Sequence, residues 1–311
     1  MSADPSKDLL LITCASGKQA TRLLPLLSEW KRLRLAVHSS SSKDRLQSQH
    51  PHADVVQTDL YSPSNCAALM KDVNVVIHIG PSYHVHEAEI GYMMIDAAVE
   101  SHQNGTGSLK HFILSSVLNS QLRKMMNHDC KRVVEEYIME SGLPYTILQP
   151  TTFMDNIPVQ VFMQQEQPKF VSAWSTENKF SMIALRDLSE VFRKVLIERE
   201  KHFYAQYPLV STHTTLSFGE AMSIISSKIG KEIQVSVAPY REAVDSVLVR
   251  LFGEAVGVDQ RSKDVAQRMI LFYDNRGLVG NANVLEWLLG RSATQFGDWV
   301  DSRVGEESQK K

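Results

Sequence analysis

Two stretches carry residues whose types and spacing could do chemistry. The first is Thr13-Cys14-Ala15-Ser16-Gly17-Lys18-Gln19-Ala20, directly after the apolar run Leu9–Thr13. A glycine-rich turn between a strand and a helix lets the backbone approach a phosphate closely, and the helix start turns free N–H groups toward the anion. Against the spacing G-x-x-G-x-x-G, Gly17 is retained, Cys14 takes the first position and Ala20 the third. Alanine at the third is mild, whereas the tight turn at the first favours glycine. The second stretch is Pro81-Ser82-Tyr83-His84-Val85-His86-Glu87, after the apolar run Val73–Ile79. Tyr83, His84 and His86 are expected to face a substrate or simply to form a polar loop. His84-x-His86 beside Glu87 has no evident third and fourth partner, so no metal site is expected.

These stretches need a scaffold that brings strand ends together. Short apolar runs alternate with helical patterns: strands at Leu9–Thr13, Leu33–His38, Asp54–Gln57, Val73–Ile79, His111–Leu114 and Tyr145–Leu148, with helices at Gly17–Lys31, Pro63–Lys71, Glu87–His102 and Asn127–Glu140 between them. Strict alternation implies parallel strands with right-handed crossovers, and nearly all-apolar strands imply a sheet covered on both faces. The expected fold is α/β: a Rossmann doubly wound parallel sheet over residues 1–150, with a smaller α/β C-terminal substrate-binding part over 151–311. In that part, Phe180–Ala184 reads as a strand, Leu185–Glu198 and Ser217–Ile229 as helices, Glu232–Val237 as a strand, and Val265–Tyr273 and Val284–Leu289 as helices.

In such a fold an acid after the second strand holds the ribose of NAD. Here that place holds His38-Ser39-Ser40-Ser41-Ser42-Lys43-Asp44-Arg45, with no acid at the strand end. The serines, Lys43 and Arg45 suit a 2′-phosphate, hence NADP over NAD, and the serines equally suit a helix cap. Composition bounds the rest. The chain has 311 residues, 43% hydrophobic, and a net charge of -2. No nucleic-acid partner is expected from that balance, and no membrane span from the length of the apolar runs. Three scattered cysteines and a polar N-terminus favour a cytoplasmic protein, and the end GEESQKK reads as a frayed tail.

The chain resembles the NmrA-like family of atypical short-chain dehydrogenases/reductases, particularly its fungal members. Ala15-Ser16-Gly17-Lys18-Gln19 is similar to the family's GATGKQG, and Gln57-Thr58-Asp59-Leu60 to its GDL. His111-Phe112-Ile113-Leu114-Ser115-Ser116 is similar to KHFVYSS. Leu143–Pro150 followed by Thr151-Thr152-Phe153-Met154-Asp155-Asn156, and the close Asn283–Arg291 with Phe296 and Trp299, also match the family's pattern. The resemblance implies that Cys14, Ala15, Ser16, Gly17, Lys18 and Gln19 contact a pyrophosphate. His38, Ser39, Ser40, Ser41 and Ser42 would face the adenosine ribose, and Asp59 and Leu60 the adenine. Ile79, Gly80 and Pro81 would pass the inner sugars, and Phe153, Met154, Asp155 and Asn156 would close over the nicotinamide.

Counting back from Gly142, Lys131 stands where family relatives keep a lysine near the nicotinamide. The tyrosine of the Tyr-x-x-x-Lys pair would be residue 127, which is Asn127. Substitutes for the missing acid are Lys131 itself, if burial lowers its pKa, His128, titrating near neutrality, and Ser115 or Ser116. The implied function is NADP-dependent reduction of a small carbonyl- or quinone-like metabolite, in secondary metabolism. A non-redox isomerase, cyclase or dehydratase is the first alternative. A redox sensor or regulator, with Cys14 open to oxidation, is the second.

Overall fold

The computed structural model describes residues 3–103 and 109–308. The chain divides into two compact units. The first comprises Met1–Gln121, His128–Gln149 and Leu188–Tyr207, and the second Leu122–Asn127, Pro150–Asp187 and Pro208–Lys311.

In the first unit, strand and helix alternate as β1 (Leu9–Ile12), α1 (Lys18–Leu23), β2 (Arg32–Val37), α2 (Ser40–Gln49), β3 (Asp54–Gln57), α3 (Pro63–Met70), β4 (Val75–Ile79), α4 (Glu87–Gln103), β5 (His111–Ser115), α5 (Met126–Glu140) and β6 (Tyr145–Pro150). The strands form a seven-stranded sheet in the order Ala205–Leu209, β6, β5, β4, β1, β2, β3. β1 pairs in parallel with both β2 and β4, as do β2 with β3, β4 with β5, and β5 with β6. This is the Rossmann arrangement. Every residue of β1, β4 and β5 is buried, as a sheet covered on both faces requires. On one face Leu9, Leu11, Val76, Phe112 and Leu114 pack with Met94 and Ile95 of α4 and Val134 and Ile138 of α5.

The chain order reverses between β1 and β4, so the turn after β1 and the loop after β4 both start at this switch point, where doubly wound sheets bind ligands. The register sets Ile12 beside Ile77 and Ile79 beside Ser115. The helix expected over Gly17–Lys31 is shorter: α1 stops at Leu23, and a 3₁₀ turn at Leu24–Leu27 contains Pro25. Proline has no N–H for the helical ladder, and Arg32 already belongs to β2. The segment Leu188–Tyr207, beyond the expected boundary at residue 150, belongs to the sheet unit and leads into its edge strand Ala205–Leu209.

The second unit holds two short parallel pairs, Lys169–Ser172 with Gln234–Val237 and Thr152–Phe153 with Met182–Ile183. Helix Phe218–Ile229 opens with a capping box from Ser217 and Glu220 and ends at Gly230, whose φ of 67° suits glycine. Helices Tyr240–Phe252 and Phe296–Ser308 go beyond what the hydrophobic pattern showed. The latter carries most of the expected frayed tail, and residues 309–311 lie outside the described residues. Buried Asp187 gathers Ser211 Oγ, Arg291 Nη2, and Thr294 N and Oγ1, each at 2.8 Å, and so ties the C-terminal turn to the rest of this unit. Among the described residues, no helix is long and apolar enough to cross a membrane.

α4 and α5 meet at Gly91, where an added Cβ would lie 2.5 Å from Val134 Cγ2. Gly91→Ala is therefore expected to cost about 1–3 kcal/mol in urea unfolding. Adding Val134→Ala should recover part of that loss. A neutral Gly91→Ala would show that the two helices separate easily.

Candidate functional site

Ile79 ends β4, the loop 80–86 follows, and Glu87 opens α4. α5 carries Lys131 to the same end of the sheet. There His78, Gly80, Glu87, Ser115, Ser116 and Lys131 help to line a recess of ≈270 Å³, its open mouth included.

Lys131 Nζ donates to Glu87 Oε1, and the two side chains are 15% and 5% exposed. Glu87 Oε2 accepts the backbone N–H of Tyr83 at 2.9 Å. Tyr83 has a φ of 68°, in the left-handed region that non-glycine residues enter only when held there. Burial works to lower the Lys131 pKa, but the charge of Glu87, then Cys130, the Glu87 hydrogen bond and Tyr83 outweigh it. The lysine ends above its ordinary value of 10.5. The condition set for Lys131 as a proton-transfer group, a pKa lowered by burial, is not met: the pair with Glu87 favours its charged form. Glu87 is the residue that sequence reasoning missed as a site residue. Its only signal was its place as the first helical residue after the β4 loop.

His128 does not titrate near neutrality as expected. Its side chain is buried, with Nδ1 3.2 Å from the Asn119 carbonyl oxygen. Burial foremost, with the Lys131 charge adding to it, lowers its pKa to about 4, so the ring is neutral. It is not among the residues lining the recess. Ser116 lines the recess, but its hydroxyl donates to Glu135, which also holds Ser120 Oγ at 2.7 Å and Gln149 Nε2 at 2.9 Å. Ser115 Oγ donates to Gln19 Oε1 at 2.8 Å, joining the start of α1 to the end of β5. His78 lies 3.0 Å from Thr13 Oγ1, and burial drops its pKa to about 3, the state of a satisfied core histidine.

The turn after β1 keeps the conformation a glycine would give it. Cys14 sits at φ 47°, Ala15 N–H reaches the Ala36 carbonyl at 3.0 Å, and Gly17 N–H closes back on the Cys14 carbonyl at 2.9 Å. A Cβ on Gly17 would lie 3.2 Å from that carbonyl, so the tight turn leaves little room there. In shape the turn thus fits a dinucleotide pyrophosphate, with Ser16, Lys18 and Gln19 around it. The Cys14 thiol is pushed up to about 12, by burial first and then by Glu87, partly opposed by Lys131. That shift disfavours the thiolate on which an oxidation-responsive Cys14 would depend.

Ser39 caps α2: its Oγ accepts Ser42 N–H at 3.3 Å and lies 2.9 Å from Ser42 Oγ. Ser40 and Ser41 occupy the first turn, beside His38 at the end of β2. Asp59 accepts Tyr61 N–H at 2.9 Å, and Leu60 is buried. His86 stacks on Tyr61 with ring centroids 3.9 Å apart, and His86 N–H donates to His84 Nδ1 at 3.1 Å. His84 interacts electrostatically with His86, Asp59, Glu87 and His38, and its pKa is lowered mainly by burial. The loop that contains Pro81, Tyr83, His84 and His86 therefore leans toward the ends of β2 and β3, and none of these four lines the recess. Phe153, Met154, Asp155 and Asn156 belong to the second unit. Met154 is fully buried there, and Asp155 accepts Leu185 N–H at 2.9 Å and an Arg303 guanidinium hydrogen bond. Among the described residues, no three His, Cys, Asp or Glu side chains are grouped to hold a metal ion.

Residues 6–302 match the profile of the NmrA-like family. The chain belongs to that family. It is 21% identical over 305 residues to an NAD(P)H azoreductase from Xenophilus azovorans, covering 95% of this chain and 98% of the relative. The crystal structure of Escherichia coli NADPH-dependent quinone oxidoreductase QOR2 complexed with NADPH is similar at a TM-score of 0.73 and 17% identity, covering 95% of this chain and 100% of that one. Citrobacter sp. triphenylmethane reductase complexed with NADP(H) matches at 0.74 and 17%, covering 94% and 99%. At these identities the likeness to the two structures is one of fold.

Removing one partner of a buried ion pair strands the other charge. Glu87→Gln is expected to cost about 3–5 kcal/mol in urea unfolding at pH 7, and Glu87→Gln with Lys131→Met to recover much of it. Because the folded Lys131 pKa lies above 10.5, its contribution is fully present below that pH and is lost as pH rises through the folded value. A Glu87→Gln protein as stable as the parent would show that the pair is not buried in solution.

Proposed function

We propose that this protein is an NADPH-dependent reductase of a small carbonyl- or quinone-like metabolite. The observation that carries this is the Lys131 cation at the recess where β4 and β5 end, at the same end of the sheet as a turn with the shape of a phosphate site. Bound NADPH would supply the hydride. Residues 14–19 would hold the pyrophosphate, and His38–Ser42 with Lys43 and Arg45 the adenosine ribose and its 2′-phosphate. Asp59 and Leu60 would border the adenine, and Ile79, Gly80 and Pro81 the inner sugars. Lys131 has three N–H donors, and one goes to Glu87. The others would order the nicotinamide ribose hydroxyls, with the charge stabilising negative oxygen on the substrate. The names of the relatives, which include an NAD(P)H azoreductase and an NADPH-dependent quinone oxidoreductase, support a reductase of conjugated acceptors. The likeness to fungal members supports a secondary metabolite as substrate.

The test is a tryptophan-fluorescence titration with NADPH and NADH, followed by NADPH oxidation with a quinone. NADPH should bind more tightly than NADH and be consumed when the quinone is added. If neither nucleotide binds at millimolar concentration, the reductase reading falls. Cys14→Gly, which removes a side chain from the left-handed turn, should tighten NADPH binding. Unchanged or weaker affinity would mean that the cysteine side chain does not impede the phosphates.

A further inference from the structure

We propose that Tyr61 and His86 form an aromatic clasp that closes over the adenosine half of a bound dinucleotide and sets how fast it enters and leaves. The assignment rests on the nucleotide-binding part of the reductase reading. Tyr61 lies in the loop after β3 and His86 in the loop after β4. These strands are not neighbours: β1 and β2 lie between them, which sets β3 and β4 roughly 14 Å apart at the usual strand spacing. Yet the two rings stack, with centroids 3.9 Å apart and planes inclined by 6°. The contact therefore spans the ends of β1 and β2. Those ends lead into residues 14–19 and His38–Ser42, the segments assigned above to the pyrophosphate and the adenosine ribose.

Each side of the clasp is anchored within its own loop. Asp59 Oδ1 accepts Tyr61 N–H at 2.9 Å, and the Asp59 carbonyl accepts Asn65 Nδ2 at 3.0 Å. On the other side, His84 N–H closes on the Pro81 carbonyl at 3.0 Å, and His86 N–H donates to His84 Nδ1 at 3.1 Å. His84 also interacts electrostatically with His38 and Asp59, so this loop reaches over to the ends of β2 and β3. The backbone anchors hold the two loops, and the ring stack joins them. Tyr61 is 42% exposed and His86 half-buried, so the stack stands largely in water. A pair of stacked rings favours its closed state by about tenfold, little enough for the rings to part unaided. A closed state favoured equally with and without nucleotide slows entry and exit alike and leaves affinity unchanged. That places the clasp's effect in the rates of exchange.

The test is stopped-flow tryptophan fluorescence with NADPH on the parent chain, Tyr61→Ala, His86→Ala, their double variant and Tyr61→Phe. Tyr61→Ala should raise the association and dissociation rates by about 10-fold each and change Kd less than about twofold. His86→Ala should do the same, and the double variant no more than either single one, because the rings act only through each other. Tyr61→Phe keeps the stack and should match the parent. Rates indifferent to Tyr61→Ala, a rise in dissociation alone, additive effects of the two substitutions, or Tyr61→Phe behaving like Tyr61→Ala overturns the clasp while the reductase reading stands. If the parent chain binds neither NADPH nor NADH, the reductase reading fails and takes the clasp with it.

Discussion

An ammonium ion buried at the end of a parallel sheet persists only with a counter-charge beside it, because desolvation otherwise drives it neutral. Lys131 meets that condition through Glu87, and much of the local structure follows from the pair. The carboxylate that neutralises the lysine also holds the Tyr83 backbone in the left-handed region, and so fixes the loop between β4 and α4. The lysine's charge in turn depresses both His128 and His78 after their burial has done so. The recess therefore has one permanent cation with neutral histidines around it. Such a site favours negative charge placed beside the lysine.

The same constraint reaches the turn after β1. Cys14 feels both Glu87 and Lys131, so the phosphate turn and the lysine share one electrostatic environment at the switch point between β1 and β4. Cysteine in a left-handed conformation is strained, of order 1–3 kcal/mol, and survives because Ala36 and Gly17 close the turn around it. Strain held in this way marks a position whose backbone shape matters more than its side chain. That supports nucleotide binding by a loop whose glycine pattern is incomplete.

Much of the sheet was legible because its signals are local. Alternating apolar runs such as Leu9–Ile12 and Val75–Ile79 need no partner to be recognised, and helix stops such as Gly230 announce themselves by residue type. The edge strand Ala205–Leu209 was not legible, since its place depends on hydrogen bonding beside β6 across the intervening chain. The site was legible only in part. The family pattern pointed to Lys131, but its partner Glu87 is 44 positions away and joins it through the α4–α5 packing at Gly91. Without that partner, burial alone argued for a lowered lysine pKa, and the sign came out reversed. Ser116 was likewise read without Glu135, which lies on the next helix and accepts its hydrogen bond.

The central claim is that Lys131 is a permanent cation. It is tested most directly by following the ¹³Cε resonance of Lys131, assigned by its loss in Lys131→Met, across an alkaline titration of the intact protein. The account predicts a midpoint above the ordinary value of 10.5. A midpoint close to neutrality would contradict it, because the lysine would then itself be the proton-transfer group.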